Sequence, residues 1–383
     1  MPFQPILDLD RLTPLLGHLG RMRQDLDALT IPPALQRWIE AQTEARGAHM
    51  STRIEGNRMT EPEVRHLFAR AEGEGASTRA ELENLDYRDA ARFARQAAAD
   101  FHADIDGGLI RGLHFLTVRT TDRTTAAGQY RTRQNVVLDG RGGAVYMPPP
   151  PGDVPGLMSG LVLWTRQQRG TLHPLVIAAV VHAEFVKVHP FDDGNGRTAR
   201  ALTVYFCERG GWLLRRLVSV EQVFAEPVAE YYANLNTLGD RYPLTPPDMT
   251  AWCEWFLERL AAHVERALRL HRAYAAWIEA EQADLDEKGL PARLVWALIH
   301  VSLFGEVSAR EYELAAGVKR ATAVSDLNLG VAAGRLARTG SGPATRYRLP
   351  EGVPAVRVSD FPLGAVPAFP LREEAVPYEA GRP

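Results

Sequence analysis

The stretch HPFDDGNGRTAR, residues 189–200, decides how the rest of the chain is interpreted. It lies between two segments with helical periodicity, about 173–187 and 195–209, and is therefore predicted to be a short loop that joins two helices. The first N–H groups of a helix have no intrahelical partner, and glycines let a ligand approach the backbone closely. A backbone cradle for an anion is thus predicted at Gly194, Asn195 and Gly196.

Four side chains of the same stretch suit the chemistry of a polyphosphate. Arg197 and Arg200 lie three residues apart on the first turns of the second helix, so both can reach phosphate oxygens. Asp193 is a hard oxygen ligand of the kind that Mg²⁺ uses when phosphates and water complete its shell. His189 can accept a proton near neutral pH, as activation of a hydroxyl requires. Taken singly, the histidine could be structural, the acidic and glycine-rich stretch could be a surface turn, and the arginines could face solvent. The order of these residues between two helices favours a functional site.

The stretch matches every specified position of HPFx(D/E)GNGRxxR, and on these residues it resembles the Fic family. The resemblance implies a protein adenylyltransferase that transfers AMP from ATP, the family's default donor, to a Tyr, Thr or Ser hydroxyl of a target protein. It implies that His189 is the base, that Asp193 holds Mg²⁺, and that the backbone of residues 194–196 is the anion hole. Arg197 and Arg200 would contact the outer phosphates. Glycine at position 196 goes with nucleotidyl transfer, whereas a phosphorylating branch has lysine there.

Two short β-prone segments, 135–138 and 144–147, surround a glycine-rich turn and predict a β-hairpin that projects from a helical body. On its residues alone, such a hairpin also fits a simple loop excursion. Its position before the motif resembles the Fic flap, residues 135–147, whose edge pairs with an extended segment of the target. The resemblance implies target contacts by Asn135, Val136, Val137 and Tyr146.

A helix at about 43–56 is predicted to end in Ser51-Thr-Arg-Ile-Glu55-Gly56. The Glu55 carboxylate lies in the last turn, at the negative end of the helix dipole, and therefore favours a cation or water as partner. Arg53 and Arg58 are the nearby cations in the sequence. The stretch matches the Fic inhibitory pattern (S/T)xxxE(G/N), and the resemblance implies that Glu55 instead pairs with Arg200 and takes the space of the ATP γ-phosphate. We therefore expect an autoinhibited enzyme. Glu55 also suits orienting a water that removes AMP from a modified target, and the sequence leaves both roles open.

The segment 290–350 reads as a helix, a helix-turn-helix and a glycine-rich hairpin, which predicts a small winged helix-turn-helix domain. Residues 306–349 contain seven basic and four acidic residues, with Lys319 and Arg320 at the start of the recognition helix and Arg338 and Arg346 beside the wing. This layout is compatible with DNA, although winged helices also mediate protein contacts. The alternative function is therefore a DNA-binding regulator whose Fic domain is secondary or inactive. The sequence lacks the GxxxxGK(S/T), HExxH, CxxC and GxSxG motifs of other enzyme classes.

Further helices are predicted at about 108–118, 153–169, 220–238 and 248–284, and Thr78 and Glu81 have capping-box spacing before another long helix. The first 30 residues are only weakly patterned. The predicted fold is therefore all-α, with a β-hairpin flap and the winged domain. The predicted organisation is an N-terminal helical region, a catalytic core, the winged domain and a proline-rich tail, at 1–105, 106–285, 290–350 and 351–383.

The composition is that of a globular protein, since 45% of its 383 residues are apolar and 24% are charged. A net charge of -3 gives no chain-wide attraction to nucleic acid or to an anionic membrane. Cys207 and Cys253 lie in apolar helical stretches and are predicted to be reduced and buried, as in the cytoplasm. No secretory signal or membrane-spanning stretch is expected, and a homodimer is implied by resemblance only.

Overall fold

The computed structural model describes most of the chain, namely residues 3–29, 31, 33–69, 78–100, 104–121, 127–138, 143–212, 216–243 and 245–352. The turn of the predicted flap, at 139–142, lies outside these residues. So does the proline-rich tail from residue 353 onward. Statements about the fold below refer to the described residues.

The described chain is mainly helical, as predicted. Its α-helices, in chain order, are α1 (Leu9–Asp27), α2 (Pro33–Ile54), α3 (Glu61–Ala69), α4 (Arg79–Ala99), α5 (Gly107–Val118), α6 (Val154–Gln168), α7 (Pro174–Val188), α8 (Asn195–Arg209), α9 (Gln222–Ala225), α10 (Val228–Asn236), α11 (Thr250–Glu287), α12 (Val295–Phe304), α13 (Ala309–Ala316) and α14 (Arg320–Ala332). One 3₁₀ turn, Ala292–Leu294, leads into α12, and another, Gly342–Ala344, lies in the C-terminal hairpin.

Two small antiparallel hairpins complete the fold. In the first, β1 (Val137–Leu138) pairs with β2 (Ala144–Tyr146), and Val137 lies opposite Tyr146. In the second, β3 (Ala337–Thr339) pairs with β4 (Arg346–Arg348), and Ala337 lies opposite Arg348. The predicted fold class, a helical body with a β-hairpin, is confirmed.

Local signals explain where several helices begin. Thr78 accepts a hydrogen bond from the Glu81 N–H at 3.2 Å, and the Glu81 carboxylate accepts one from the Thr78 N–H at 3.1 Å, so the predicted capping box caps α4. Asp106 caps α5 by accepting from the Leu109 N–H at 2.7 Å. Pro174 opens α7, where its missing N–H costs no hydrogen bond.

Two sequence-based expectations need correction. The weakly patterned N-terminal segment contains α1, a helix of 19 residues that buries Leu12, Leu19 and Leu26 completely. The single helix expected at 220–238 is instead the two short helices α9 and α10, and Pro227 lies between them. Proline has no N–H to donate to the preceding turn, which explains the interruption.

The described residues form two compact units. The first, unit 1, comprises residues 3–23 and 42–264, and the second, unit 2, comprises 24–41 and 265–352. In unit 1, the apolar helix α7 is buried on nearly all its faces and packs beside α8, which in turn lies against α4 and α5. The motif at 189–200 occupies the connection between α7 and α8 and the first turns of α8.

Unit 2 contains α12, the α13–α14 pair and the β3–β4 hairpin. Val307 forms an antiparallel bridge with Tyr347, which places a third extended segment beside the hairpin. The side chains of Leu294, Tyr312 and Leu327 fill its interior and are completely buried. The assignment of a winged helix-turn-helix domain, like the predicted domain boundaries, stays a prediction.

The cysteines and the hydropathy of the helices can also be compared with the sequence-based expectations. Cys207 and Cys253 are both free thiols and both buried, as predicted. Of the helices in the described part of the chain, none has the length and hydropathy that crossing a membrane requires.

Candidate active site

His189 is the C-terminal cap of α7 and has left-handed backbone angles, φ 49° and ψ 58°. Its N–H donates to the Phe185 carbonyl at 3.0 Å, and its Nδ1 lies 3.3 Å from the Val186 carbonyl. Because a carbonyl can only accept, this contact leaves the proton on Nδ1 and the lone pair on Nε2. Burial lowers the pKa of His189 to about 4, so the imidazole is neutral at pH 7. The side chain is therefore available as a proton acceptor.

Arg131 fixes the position of His189 from the base of the flap. Its guanidinium donates to four backbone carbonyls, those of His189 at 2.8 Å, Pro149 at 2.5 Å, Arg133 at 3.2 Å and Val188 at 3.5 Å. Its side chain is almost completely buried. One rigid, planar group thus joins the end of α7 to both flanks of the β1–β2 hairpin.

Asn195 closes the loop between His189 and α8. Its Nδ2 donates to the Phe191 carbonyl at 2.8 Å, and its Oδ1 accepts from the Phe191 N–H at 2.9 Å. The side chain of Asn195 therefore has a structural role in addition to the backbone role predicted from the sequence. Phe191 is fully buried, and this pair of bonds holds its backbone without secondary structure.

His114 on α5 supports the loop from below. Its ring stacks on Phe191 with centroids 3.7 Å apart and planes 3° from parallel. Its Nδ1 accepts from the Gly128 N–H at 2.9 Å, which fixes the tautomer so that Nε2 donates to the Asp193 carbonyl at 3.0 Å. His114 is 1% exposed and neutral in this arrangement, so it positions the loop that carries Asp193.

The N-terminus of α8 has the features of an anion cradle. Gly194 caps the helix with φ 73°, and a Cβ there would lie 2.5 Å from Val118 Cγ1, so only glycine fits. A Cβ at Gly196 would lie 2.3 Å from Glu55 Oε1 and 3.1 Å from Arg200 Nη1. The space above Gly196 is thus shared by a carboxylate oxygen and a guanidinium nitrogen.

Arg200 is completely buried and reaches this space from the second turn of α8. Its Nε donates to Ser51 Oγ at 2.8 Å, and its Nη2 donates to the Ser51 carbonyl at 2.9 Å and to Glu55 Oε1 at 2.6 Å. Its Nη1 is buried and has no hydrogen-bond partner within the described structure. A buried cationic donor without a partner, next to the Gly196 backbone, is suited to a phosphate oxygen.

Arg197 and Asp193 form an ion pair at the other side of the cradle. Arg197 Nη2 lies 3.2 Å from Asp193 Oδ2, and Arg197 Nη1 donates to the Thr117 carbonyl at 3.2 Å. Arg197 is buried, whereas the Asp193 side chain is 46% exposed. In this conformation Arg197 orients Asp193 and ties α8 to α5.

Asp193 is the residue of the site that suits a Mg²⁺ ion. In the described chain, no group of three or more His, Cys, Asp or Glu side chains is arranged to hold a metal. A single half-exposed carboxylate, that of Asp193, fits Mg²⁺ nevertheless, because this ion commonly binds through one or two carboxylates with phosphates and water as the remaining ligands.

A buried polar network lies behind Arg200. Tyr87 Oη donates to Glu221 Oε1 at 3.1 Å, and Ser219 Oγ donates to Glu221 Oε2 at 2.7 Å. The carboxylate of Glu221 is 4% exposed. It thus joins Tyr87 and Ser219 in one buried network.

The flap residues predicted from the sequence differ in what they contact. Asn135 Nδ2 donates to the Phe191 carbonyl at 3.2 Å, so it joins the flap to the motif loop. Val136 is exposed and Val137 half-buried. Tyr146 is 8% exposed, and its Oη donates to the Lys187 carbonyl at 2.7 Å, so this side chain anchors the flap to α7.

The structure places His189 and Asp193 in the connection between α7 and α8, the predicted residues from Asn195 to Arg200 on the first turns of α8, and Glu55 beside Arg200. Arg53 and Arg58 were the other cations available to Glu55. Among the described residues, Glu55 forms its ion pair with Arg200 and with neither of these two. Residues that sequence reasoning missed are His114, Tyr87 and Glu221, for which no local pattern gives a signal. The contacts of Arg131 with four backbone carbonyls could not be read from the sequence either.

Comparisons with known proteins point to one family. The model of the Fic/DOC family matches residues 104–207. A protein adenylyltransferase Fic from Drosophila melanogaster is 34% identical over 199 residues, which are 51% of this chain and 39% of that protein. The chain thus spans well under two thirds of the length of this relative.

Solved structures share the fold. A Fic family protein from Desulfovibrio desulfuricans G20 superposes with a TM-score of 0.59 at 24% identity, covering 92% of this chain and 100% of that one. A Fic domain-containing signaling protein from Bacteroides thetaiotaomicron gives a TM-score of 0.55 at 26% identity, covering 67% of this chain and 95% of that one. Residues 104–207 therefore match the Fic/DOC family, and the fold is shared with solved Fic proteins.

Proposed function

We propose that this protein is an adenylyltransferase that transfers AMP from ATP to a Tyr, Thr or Ser hydroxyl of another protein, and that Glu55 holds it in an inhibited state. The observation that carries the proposal is the buried, unpartnered Nη1 of Arg200 beside the Gly196 backbone at the start of α8. The name of the Drosophila relative, protein adenylyltransferase, supports the same reaction.

His189 is proposed to be the general base. Its neutral imidazole, with the proton on Nδ1, can accept the proton of the target hydroxyl at Nε2. The hydroxyl oxygen then forms a bond to the α-phosphorus of ATP, and the bond from that phosphorus to the bridging oxygen breaks. Pyrophosphate leaves with the electron pair, and AMP stays on the target. Arg131 acts through His189 by fixing its backbone, and it touches no reacting atom.

The cradle would neutralise the charge of the triphosphate. The N–H groups at the start of α8 and the free donor of Arg200 face the same space, which suits the oxygens of the outer phosphates. Asp193 would hold Mg²⁺, which when bound would offset negative charge on the phosphates. Arg197 already pairs with Asp193, so it can orient this carboxylate whether or not it also meets a phosphate.

Glu55 is proposed to compete with a phosphate for Arg200. Its carboxylate bonds to Arg200 at 2.6 Å and lies over Gly196, in the space that the cradle offers to an anion. A carboxylate and a phosphate oxygen cannot occupy that space together, since like charges repel there and no room is left. While Glu55 is engaged, the outer phosphates of ATP would be displaced from the position that transfer requires.

The β1 edge of the flap is proposed to bind the target. Within the described residues, β1 pairs only with β2, so its outer backbone groups remain available for an extended segment. The exposed side chains of Val136 and Val145 offer apolar contacts on the same hairpin. Asn135 would hold this edge beside the motif loop through its bond to Phe191.

The test is labelling of a cell lysate by purified Glu55→Gly protein with ATP labelled at either the α- or the γ-phosphate. We expect label on protein from the α-phosphate alone, more with Glu55→Gly than with the wild type, and none with the Glu55→Gly/His189→Ala double variant. Glu61→Gly is a matched control, because Glu61 also pairs with an arginine, Arg46, but outside the site. Label from the γ-phosphate, or no label from either, would contradict AMP transfer.

The same experiment separates the remaining alternatives. Equal labelling by active wild type and Glu55→Gly would contradict inhibition by Glu55 while leaving the reaction itself intact. Other labelled nucleotides, used in parallel, test the choice of ATP as donor. Wild-type protein added to a labelled target tests removal of AMP, for which Glu55 would orient a water. A chain that labels nothing in any arm would support the alternative of a regulator with an inactive Fic domain.

A further inference from the structure

A cleft of about 530 Å³ lies in unit 2 between α14 and the β3–β4 hairpin. Four arginines line it, and its described lining contains no carboxylate. They come from separate elements, the start of α13, the start of α14, β3 and β4, and are Arg310, Arg320, Arg338 and Arg346. Convergence of four cations from four elements on one concavity marks a site for a polyanion.

The acidic residues near this cleft are largely neutralised or turned away from it. Asp326, the acidic residue of α14, is 2% exposed and accepts hydrogen bonds from Arg293 at 2.7 and 2.9 Å and from Tyr312 at 3.0 Å. The exposed face of α14 therefore carries no negative charge. The nearby acids Glu306 and Glu313 pair at the margin with arginines of the set.

Two arginines of the cleft remain uncommitted. Arg320 lies 3.9 Å from Glu313 and Arg346 lies 3.5 Å from Glu306, so these two share their charge with a carboxylate. Among the described residues, Arg310 and Arg338 form no ion pair, and both are exposed. These two side chains are therefore the clearest candidates for direct contact with an anionic ligand.

The exposed face of α14 continues from the cleft and has the chemistry of a surface that contacts base pairs. It presents the amide of Asn328, the hydroxyl of Ser325 and the methyl groups of Val324, all on the solvent side of the helix. An amide and a hydroxyl can hydrogen-bond to base edges, and an apolar group can contact the methyl of thymine. A helix of 13 residues fits in the major groove of B-form DNA, whereas the major groove of double-stranded RNA is too narrow.

We propose that the cleft holds the phosphate backbone of double-stranded DNA while α14 lies in the adjacent major groove. The arginines of the cleft would neutralise phosphates, and the α14 face would contact bases. This function lies outside the nucleotidyl-transfer site, uses only residues of unit 2 and does not depend on the proposed AMP transfer.

The expected salt dependence follows from the number of arginines. Each neutralised phosphate contributes about −0.9 to the slope of log K against log salt concentration, so four contacts give a slope of about −3.6. With 1 M salt as reference, loss of one contact weakens binding about fivefold at 0.15 M salt, and loss of two weakens it about 30-fold.

The experiment measures fluorescence anisotropy of a labelled DNA duplex of mixed sequence and about 20 base pairs, two helical turns, against the full chain. Salt is varied from about 0.05 to 0.3 M. The variants are Arg310→Ala, Arg338→Ala and the pair together, with Arg272→Ala as matched control, because Arg272 is an exposed arginine of unit 2 that lies outside the cleft. Circular dichroism checks that every variant is folded.

We expect salt-dependent binding by the wild type, a slope smaller by about 0.9 for each cleft variant, and no change with Arg272→Ala. His189→Ala should bind the duplex as the wild type does, which keeps this result separate from any failure of AMP transfer. The proposal is overturned if the wild type binds no duplex at about 100 µM protein, a usual limit for non-specific binding. It is also overturned if the control loses as much affinity as the cleft variants, or if duplex RNA binds as tightly as DNA.

Discussion

Replacement of Gly196 by alanine gives a direct test of how Glu55 and the anion cradle share one space. The new Cβ would lie 2.3 Å from Glu55 Oε1, far inside van der Waals contact, so the carboxylate must move. Gly196 lies within α8 and does not have a positive φ, so alanine introduces no backbone strain and favours the helix. The expected effect is therefore steric and confined to Glu55 and the cradle.

The magnitude follows from the bond that is lost. A hydrogen bond between charged groups contributes about 1.5–3 kcal/mol, but the Glu55 side chain is 37% exposed and solvent screens part of the interaction. We therefore expect a loss of about 1–2 kcal/mol in the local stability of the end of α2. Amides that exchange through local opening of this helix end should therefore exchange roughly 5–30-fold faster.

The assay is hydrogen exchange at the amides of Glu55, Gly56 and Asn57, which donate to carbonyls in the last turn of α2. Glu55→Ala and Gly196→Ala should each accelerate exchange to a similar extent, and the double variant should be no faster than either, because both remove the same bond. Only Glu55→Ala should gain AMP transfer, since the methyl group at position 196 also fills the cradle.

Additive effects in this double-mutant cycle would refute the reasoning, because they would mean that Gly196→Ala leaves the bond between Glu55 and Arg200 in place. Gain of AMP transfer by Gly196→Ala alone would refute it in a second way, because a filled cradle would then still accept the phosphates. Amides of α1, which lies away from this contact, serve as the internal reference for unchanged stability.

Three further predictions concern groups around the site. In a disinhibited variant, AMP transfer should stay constant from pH 7 down to about pH 5 and be half-maximal near pH 4, since burial holds the pKa of His189 at about 4; initial rates that fall by half near pH 6.5 would contradict this. Arg131→Lys should lower AMP transfer about 10²-fold, because one ammonium cannot replace a fork that contacts four carbonyls; near-normal labelling would contradict the positioning role. Tyr87→Phe should lower the free energy of unfolding in urea by about 1–3 kcal/mol, because buried Glu221 loses a donor, and an unchanged urea midpoint would count against the network.

Most of the helical architecture could be predicted from local sequence. α5, α6, α7 and α8 begin and end within about two residues of their predicted limits, because apolar periodicity, prolines and caps are local signals. α1 was not predicted, although Leu12, Leu15, Leu19, Met22 and Leu26 recur in it at helical spacing; Pro14 inside the segment obscured this pattern. The signal was therefore present in the sequence, but a proline within an apolar pattern usually indicates the end of a helix.

The part of the candidate site that is contiguous in sequence could be predicted, and the contacts made from distant parts of the chain could not. The residues at 189–200 act within one loop and one helix, so their order alone indicated an anion site. His114, by contrast, reaches the loop from 79 residues away, and Arg200 meets Ser51 across 149 residues. Sequence spacing carries no information about such contacts, and pairing of Glu55 with Arg200 was expected only through family resemblance.

The contacts of Arg131 have a consequence for how this domain varies among its relatives. Every hydrogen bond of its guanidinium ends on a backbone carbonyl, at positions 133, 149, 188 and 189. Any amino acid at these positions supplies the same oxygen, so substitutions there place no demand on a compensating change at Arg131. Residue-pair covariation, which detects side chains that change together, would therefore pass over the clamp between flap and catalytic loop. A library that randomises the flanks of the flap can vary positions 133 and 149 without losing these bonds but must keep the arginine.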